Sequence, residues 1–128
     1  MENAVIYARY SSSGQREESI EGQLRDCHDC AQRNGFRVVA EYWERALTGT
    51  SDKRPEFQRM IADCEAGKID IVLTKSISRF ARNTVDLLAT VRHLKELGVE
   101  VRFEREKINT FTGDGEVMLS ILASFAEE

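Results

Sequence analysis

A serine hydroxyl is a weak nucleophile, and the residues that would make it useful are cations able to take up the negative charge it creates on attack. In A-V-I-Y-A-R-Y-S-S-S, from Ala4 to Ser13, Ser11 stands two residues after Arg9, where an apolar run turns abruptly polar. Three further arginines stand at later breaks of the same kind. Arg54 closes a polar stretch, and Arg79 and Arg82 lie in K-S-I-S-R-F-A-R-N, which holds no acid from Lys75 to Asn83. Guanidinium groups stay charged at any ordinary pH and match phosphate oxygens with paired donors. A serine ringed by arginines is suited to phosphoryl transfer, in which charge builds on the phosphoryl oxygens in the transition state. Arg79 and Arg82 are three apart, so they share a face if the local backbone is helical.

The elements that must position these residues follow from hydrophobic period. Ala4 to Ala8 reads as a buried strand that empties into a serine loop. Ser19 opens a helix with Ile20, Leu24, Cys27 and Ala31 as its apolar stripe, and Gly35 closes it. Gln23 falls on the mostly polar face of that helix. Phe36 to Trp43 is a second strand, and Glu44 to Arg54 a polar loop. Pro55 fits a first helical position, with Phe57, Met60, Ile61 and Cys64 on the buried side before Gly67.

Ile69 to Thr74 is a short apolar run of the sort expected for a central parallel strand. The next helix runs between Asn83 and Leu97 with Val85, Leu88, Val91 and Leu94 inward, while Asn83 and Asp86 suit its N-terminus. Val99, Val101 and Phe103 alternate with Glu100 and Arg102 as a fourth strand. Glu104 to Gly115 is a polar connection. A final amphipathic helix from Glu116 carries Val117, Met118, Ile121, Leu122 and Phe125 and is cut short by the end of the chain.

This order predicts one α/β domain over residues 1–128. Its expected form is a three-layer open sheet, mainly parallel and four-stranded, with helices on both faces. The ends of the first three strands then bring Ser11, Glu44, Arg54, Arg79 and Arg82 to one edge, where open α/β sheets hold their ligands.

Composition narrows the function classes. Apolar residues at 41% and charged residues at 31% describe an ordinary globular chain, and no apolar run approaches a membrane span. No basic-then-apolar leader precedes the first strand, so a cytoplasmic location is the expectation. A net charge of −4 argues against a generic nucleic-acid coat, so any binding of nucleic acid must be local. Neither G-x-G-x-x-G nor G-x-x-x-x-G-K-[ST] occurs, which disfavours dinucleotides and nucleoside triphosphates. Cys27 and Cys30 have the spacing of a metal knuckle, yet no second pair exists and Cys27 falls on a core stripe.

Four segments in register carry a resemblance. Y-A-R-Y-S-S, S-I-E-G-Q, T-G-T-S-D-K-R-P-E-F and S-I-S-R-F-A-R-N together resemble the catalytic domain of the serine site-specific recombinases, the resolvase and invertase family. The R-P-E-F segment and the surroundings of Arg79 are most similar to the large serine recombinases, among them phage integrases and transposon recombinases. The resemblance implies that Ser11 attacks a scissile phosphate of double-stranded DNA and forms a phosphoserine link to the 5′ end. It implies that Arg9, Arg79 and Arg82 bind that phosphate with help from Arg54, that Gln15 and Gln23 lie near the site, and that Glu44 stands where the family commonly has aspartate. It also implies no metal, no nucleotide cofactor and no membrane partner, with subunits assembling as dimers or tetramers through the last helix. A DNA-binding region is expected beyond this chain, and the chain by itself is expected to lack recombination activity.

The sequence departs from the resolvases at Ser78, which replaces an acid before the first arginine of the pair. It also ends near where the family places a late glutamate. The alternative reading is a non-catalytic module of the same fold that binds phosphate or nucleic acid, or that oligomerises.

Overall fold

In a computed structural model of the protein, which describes residues 1–11, 19–46 and 54–126, the first strand is fully buried from Ala4 to Ala8. Strand β1 (Asn3–Ser11) sends alternate side chains to opposite faces. Ala4 and Ile6 face one core and Val5 and Tyr7 the other, all with no solvent exposure. Every other element packs around that division. Helix α1 (Ile20–Asn34) covers the first face, where Cys27, Cys30 and Ala31 meet Ile6, Ile71 and Leu73. The second face is covered by helices α2 (Pro55–Glu65) and α4 (Thr84–Glu96), which bring Phe57, Met60, Leu87, Val91 and Leu94 against Tyr7, Val72, Val101 and Phe103.

The sheet is completed by β2 (Arg37–Ala46), β3 (Ile71–Thr74), β4 (Glu100–Phe103) and β5 (Ile108–Asn109), in the spatial order β2-β1-β3-β4-β5. The first four strands are parallel, and β5 runs antiparallel to β4. The expected architecture is therefore present with one strand more than the four anticipated. β5 is only two residues long, too short for a period to register in the sequence.

Two further differences have local causes. A four-residue helix, α3 (Ile77–Phe80), interrupts the basic segment after β3. On α4 the buried stripe is Leu87, Leu88, Val91 and Leu94, while Val85 is 62% exposed rather than inward. At 100° per residue Val85 lies on the far side of the helix from Leu87 and Leu94, so it cannot share their face.

Helix termini follow their residues. The Ser19 hydroxyl accepts from the Gly22 N–H at 3.0 Å, and Gly35, at φ 74, takes the left-handed conformation that ends α1. Asn83 caps α4 by accepting from the Asp86 N–H at 2.8 Å. The three free cysteines, Cys27, Cys30 and Cys64, are all buried, and burial raises their thiol pKa values, that of Cys64 to about 12. Burial favours the protonated form of all three, which pack within the two cores. Among the described residues no helix is long and apolar enough to cross a membrane.

Helix α5 (Gly113–Ala126) leaves the sheet after β5, and Leu119 packs against the second core while Val117, Met118 and Ile121 stay exposed. The side chains of Leu122 and Phe125 lie outside the described residues. The helix passes so close to β5 that a Cβ on Gly115 would sit 1.9 Å from the Asn109 carbonyl oxygen. Gly115→Ala is therefore expected to destabilise the domain by about 1–3 kcal/mol, as overpacking against rigid backbone does. Gly113→Ala, with nothing within 4 Å of its added Cβ, should be neutral or stabilising by up to about 1 kcal/mol. Urea unfolding of the two variants side by side checks the contrast.

Candidate active site

The chain passes from β1 out to β2 and returns across β1 to β3, so neighbouring strands β1 and β3 lead in opposite directions at their carboxyl ends. That is the switch point where an open α/β sheet leaves a crevice. Pairing between β1 and β3 stops at Tyr7 and Thr74, whereas β1 continues beside β2 as far as Ser11 opposite Ala46. Past Tyr7 the freed edge of β1 needs hydrogen-bond partners from elsewhere.

Gln23 supplies them. Its side-chain oxygen accepts from the Arg9 N–H at 3.2 Å, and its amide nitrogen donates to the Arg9 carbonyl at 3.0 Å. One amide thus extends the ladder by a residue, and Gln23 is completely buried rather than lying on a solvated helix face. The helical stripe could not reveal this, because the partner is the edge of a strand and not another helix. Held in this way, Arg9 reaches across the crevice and donates from Nη2 to the Ser78 carbonyl at 2.8 Å.

Arg54 is the most enclosed charge of the group. Its side chain is 5% exposed, its guanidinium lies 3.8 Å from the Phe57 ring centre and 5.3 Å from that of Tyr7, and three of its donors are engaged. Nε donates to the Tyr7 hydroxyl at 3.2 Å, Nη1 to Asp86 at 3.4 Å, and Nη2 to the Phe80 carbonyl. Its backbone is left-handed at φ 48, a conformation costing a non-glycine residue about 1–2 kcal/mol. Such strain persists only where surrounding contacts over-determine it.

Glu44 lies inside β2, not in the following loop, and its carboxylate is spent on the fold. It accepts from the Tyr7 hydroxyl at 2.6 Å and from the backbone N–H groups of Glu56 and Phe57 at 3.2 and 3.1 Å. It thereby caps α2, whose own N-cap residue, Arg54, makes no side-chain cap, and it places negative charge at the positive end of the helix dipole. Burial chiefly, with the Glu44 carboxylate adding to it, pushes the Tyr7 hydroxyl well above the ordinary tyrosine range, so it remains a donor.

Arg79 and Arg82 do not share a helical face. Helix α3 ends at Phe80 and Ala81 is extended, so Arg79 is buried at 8% exposure while the Arg82 side chain is 47% exposed. Arg82 and Arg9 line one open cavity of about 410 Å³ together with Ser78, Asn83 and Glu106. Glu106 accepts from the Ile77 N–H at 3.1 Å and so caps α3. Lys75, from the same basic run, pairs with Asp26 of α1 at 2.8 Å.

Ser11 is the last residue of β1, at the mouth of this crevice; Gln15 lies outside the described residues. Tyr7, Asp86 and Glu106 were not among the site residues read from the sequence. A polar-tipped aromatic within an aliphatic strand was a usable sign for Tyr7, and the four-residue spacing from Arg82 was one for Asp86. Tyr7→Phe leaves both the Arg54 Nε and the Glu44 carboxylate short of a buried partner. It is expected to cost about 1–3 kcal/mol in chemical denaturation.

The fold agrees with what the chain is similar to. The family described as "Resolvase, N terminal domain" matches residues 4–128. The Tn21 transposon resolvase of Escherichia coli is 33% identical over 119 residues, covering 90% of this chain and 62% of that protein. The Tn3 transposon resolvase of Escherichia coli is 28% identical over 121 residues, covering 94% and 60%. This chain therefore spans less than two thirds of the length of either relative. Among solved structures, the N-terminal catalytic domain of TP901-1 integrase superposes with a TM-score of 0.85 at 28% identity, covering 98% of this chain and 94% of that one. A resolvase family site-specific recombinase from Streptococcus pneumoniae gives 0.86 at 32% identity, covering 99% and 87%. A family match over nearly the whole chain, together with a parallel sheet that gathers arginines beside the end of β1, establishes that the chain belongs to the resolvase N-terminal domain family, the catalytic domains of the serine recombinases.

Proposed function

We propose that this chain cleaves and rejoins double-stranded DNA as the catalytic domain of a site-specific recombinase, with Ser11 as nucleophile. The observation that carries the reading is the convergence of Arg9 and Arg82 on one open cavity at the switch point, with Arg79 and Arg54 nearby and Ser11 at the adjoining strand end. Ser11 Oγ attacks the scissile phosphorus, the Oγ–P bond forms, and the P–O3′ bond breaks. The serine proton is released as the departing 3′ oxygen gains one. The phosphodiester is exchanged for a phosphoserine ester of similar energy, so the reverse attack by a 3′ hydroxyl reseals the strand without an external energy source.

The arginines differ in accessibility, and we assign them different work. Arg9 and Arg82, at the cavity, contact phosphate oxygens directly and stabilise the charge that grows on them in the transition state. Arg79 adds a buried positive charge close by, where water screens it poorly. Arg54 acts from behind, through the groups it holds. Gln23 positions the Arg9 backbone, and Glu44 positions Tyr7 and the start of α2. Gln15 belongs to the same site on the strength of the family resemblance alone.

DNA is the partner this chemistry requires, and a second copy of the chain is the partner that α5 suits. Val117, Met118 and Ile121 are exposed along it, and burying each contributes on the order of 1.5–3 kcal/mol. The rival reading, a module that only docks on nucleic acid, differs in one observable, the covalent adduct.

The test is to incubate the protein with DNA fragments from both flanks of its own gene, quench with detergent and look for DNA linked to protein. Ser11→Ala should abolish the adduct with little change in DNA affinity; continued cleavage by that variant would remove Ser11 from its role. Arg82→Lys keeps the charge but loses the planar paired donors, so adduct formation should fall at least tenfold while affinity changes little. Equal losses in both would favour the docking module. Self-association of the purified chain should be concentration-dependent in sedimentation and be weakened by Ile121→Asp. A chain that remains monomeric at high concentration rules out α5 as the interface.

A further inference from the structure

Asp86, in the first turn of α4, accounts for more contacts than a helix terminus needs. Its Oδ2 accepts from Arg54 Nη1 at 3.4 Å and from the Arg82 backbone N–H at 3.1 Å, and its Oδ1 lies 3.6 Å from Arg82 Nη2. Its own N–H is already satisfied by Asn83 Oδ1, which meets the capping requirement of α4 without the Asp86 carboxylate. The two guanidiniums it touches come from different parts of the chain. Arg54 stands at the start of α2, interior and 5% exposed, and Arg82 follows α3 at the cavity, 47% exposed. The Asp86 carboxylate is itself 20% exposed, so water screens it less than it would a surface acid.

We infer that Asp86 is a positioning residue for phosphoryl transfer: its carboxylate ties the interior Arg54 to the Arg82 backbone and side chain, and so sets the direction in which Arg82 presents its donors to the cavity. Two physical needs converge on it. Two guanidiniums near one carboxylate repel each other less than two left alone. A long arginine side chain also gains precision when one edge of its fork is held, because fewer rotamers remain to be lost when phosphate binds. Helix α3 ends at Phe80 and Ala81 is extended, so Arg82 lies outside that helix. The carboxylate of Asp86 from the next helix meets both its backbone N–H and its guanidinium.

The inference rests on the functional reading above, so the experiment has one arm that does not depend on it. In the first arm, guanidinium N–H resonances of Arg54 and Arg82 are followed by NMR in the 128-residue chain, with Arg59, paired to Glu56 elsewhere, as internal control. Asp86→Asn keeps an oxygen able to accept from the Arg82 N–H but removes the charge. It should shift or broaden the Arg54 and Arg82 signals and leave that of Arg59 in place. In the second arm, adduct formation at saturating DNA should fall at least tenfold with affinity changed less than threefold. Asp86→Glu, which keeps the charge on a longer arm, should recover part of the rate. A merely structural acid would alter unfolding without separating rate from affinity and without rescue by Glu.

Unchanged arginine signals overturn the inference whatever the rate does, and so does an unchanged rate when the signals move. If Asp86→Asn does not fold, Asp86→Glu decides alone by whether it displaces the Arg82 signals and lowers the rate. A wild-type protein that joins this domain to a DNA-binding region and still forms no adduct counts against the proposed function. In that case the NMR arm still decides whether Asp86 fixes the two arginines.

Discussion

A guanidinium buried between aromatic rings organises this end of the molecule. Arg54 carries a full charge at 5% exposure, which is tolerable only because every neighbouring element contributes something to hold it: the Tyr7 hydroxyl from β1, the Phe57 ring from α2, the Phe80 carbonyl from α3 and the Asp86 carboxylate from α4. Removing any one of these would leave a buried charge short of a partner, which costs more than the lost bond alone. The same contacts connect four elements, β1, α2, α3 and α4, drawn from three separate stretches of the chain. Arg54 is thus a structural centre whose charge also lies behind the cavity lined by Arg9 and Arg82.

Carboxylates spread that order outward. Glu44 receives the Tyr7 hydroxyl and two N–H groups of α2, so β1, β2 and α2 meet at one side chain. Glu106 caps α3 from the turn between β4 and β5, and it lines the same cavity as the two accessible arginines. The local acids therefore fix the elements that carry the arginines, while Arg9 and Arg82 keep faces toward open space. A phosphate entering there would meet cations whose backbones are already placed. Preorganisation of this kind is what lets electrostatic stabilisation act without reorganisation at the moment of reaction.

The interior chemistry is quiet by comparison. Cys27, Cys30 and Cys64 are neutral thiols packed among aliphatic groups, and their suggestive two-residue spacing reflects two positions of one helix that both face the sheet. Four aromatic rings, Tyr7, Phe57, Phe80 and Phe103, meet edge to face with centroids 5.1 to 6.4 Å apart, forming a rigid floor beneath the crevice. Close packing below and accessible cations above is the arrangement that the proposed phosphoryl transfer would use.

Local chemistry written into the sequence determined the element order, the parallel sheet, the caps at Ser19, Gly35 and Asn83, and the placing of Ser11 and four arginines at the ends of strands. Period, capping preference and turn composition act over a few residues and leave their mark there. What each side chain does at the site was decided only by tertiary structure. Gln23 lies on a mostly polar helix face, which names no partner for it, yet it completes a strand edge 14 residues away. Glu44, expected at the site, joins β1, β2 and α2, and Asp86, expected only to suit the start of a helix, joins Arg54 to Arg82. Arg79 and Arg82, three apart, part company because one residue, Ala81, leaves helical geometry under constraints set by neighbours in space. Hydrogen bonds between distant segments carry no sequence period, so only the folded arrangement tells which charges support the site and which face its cavity.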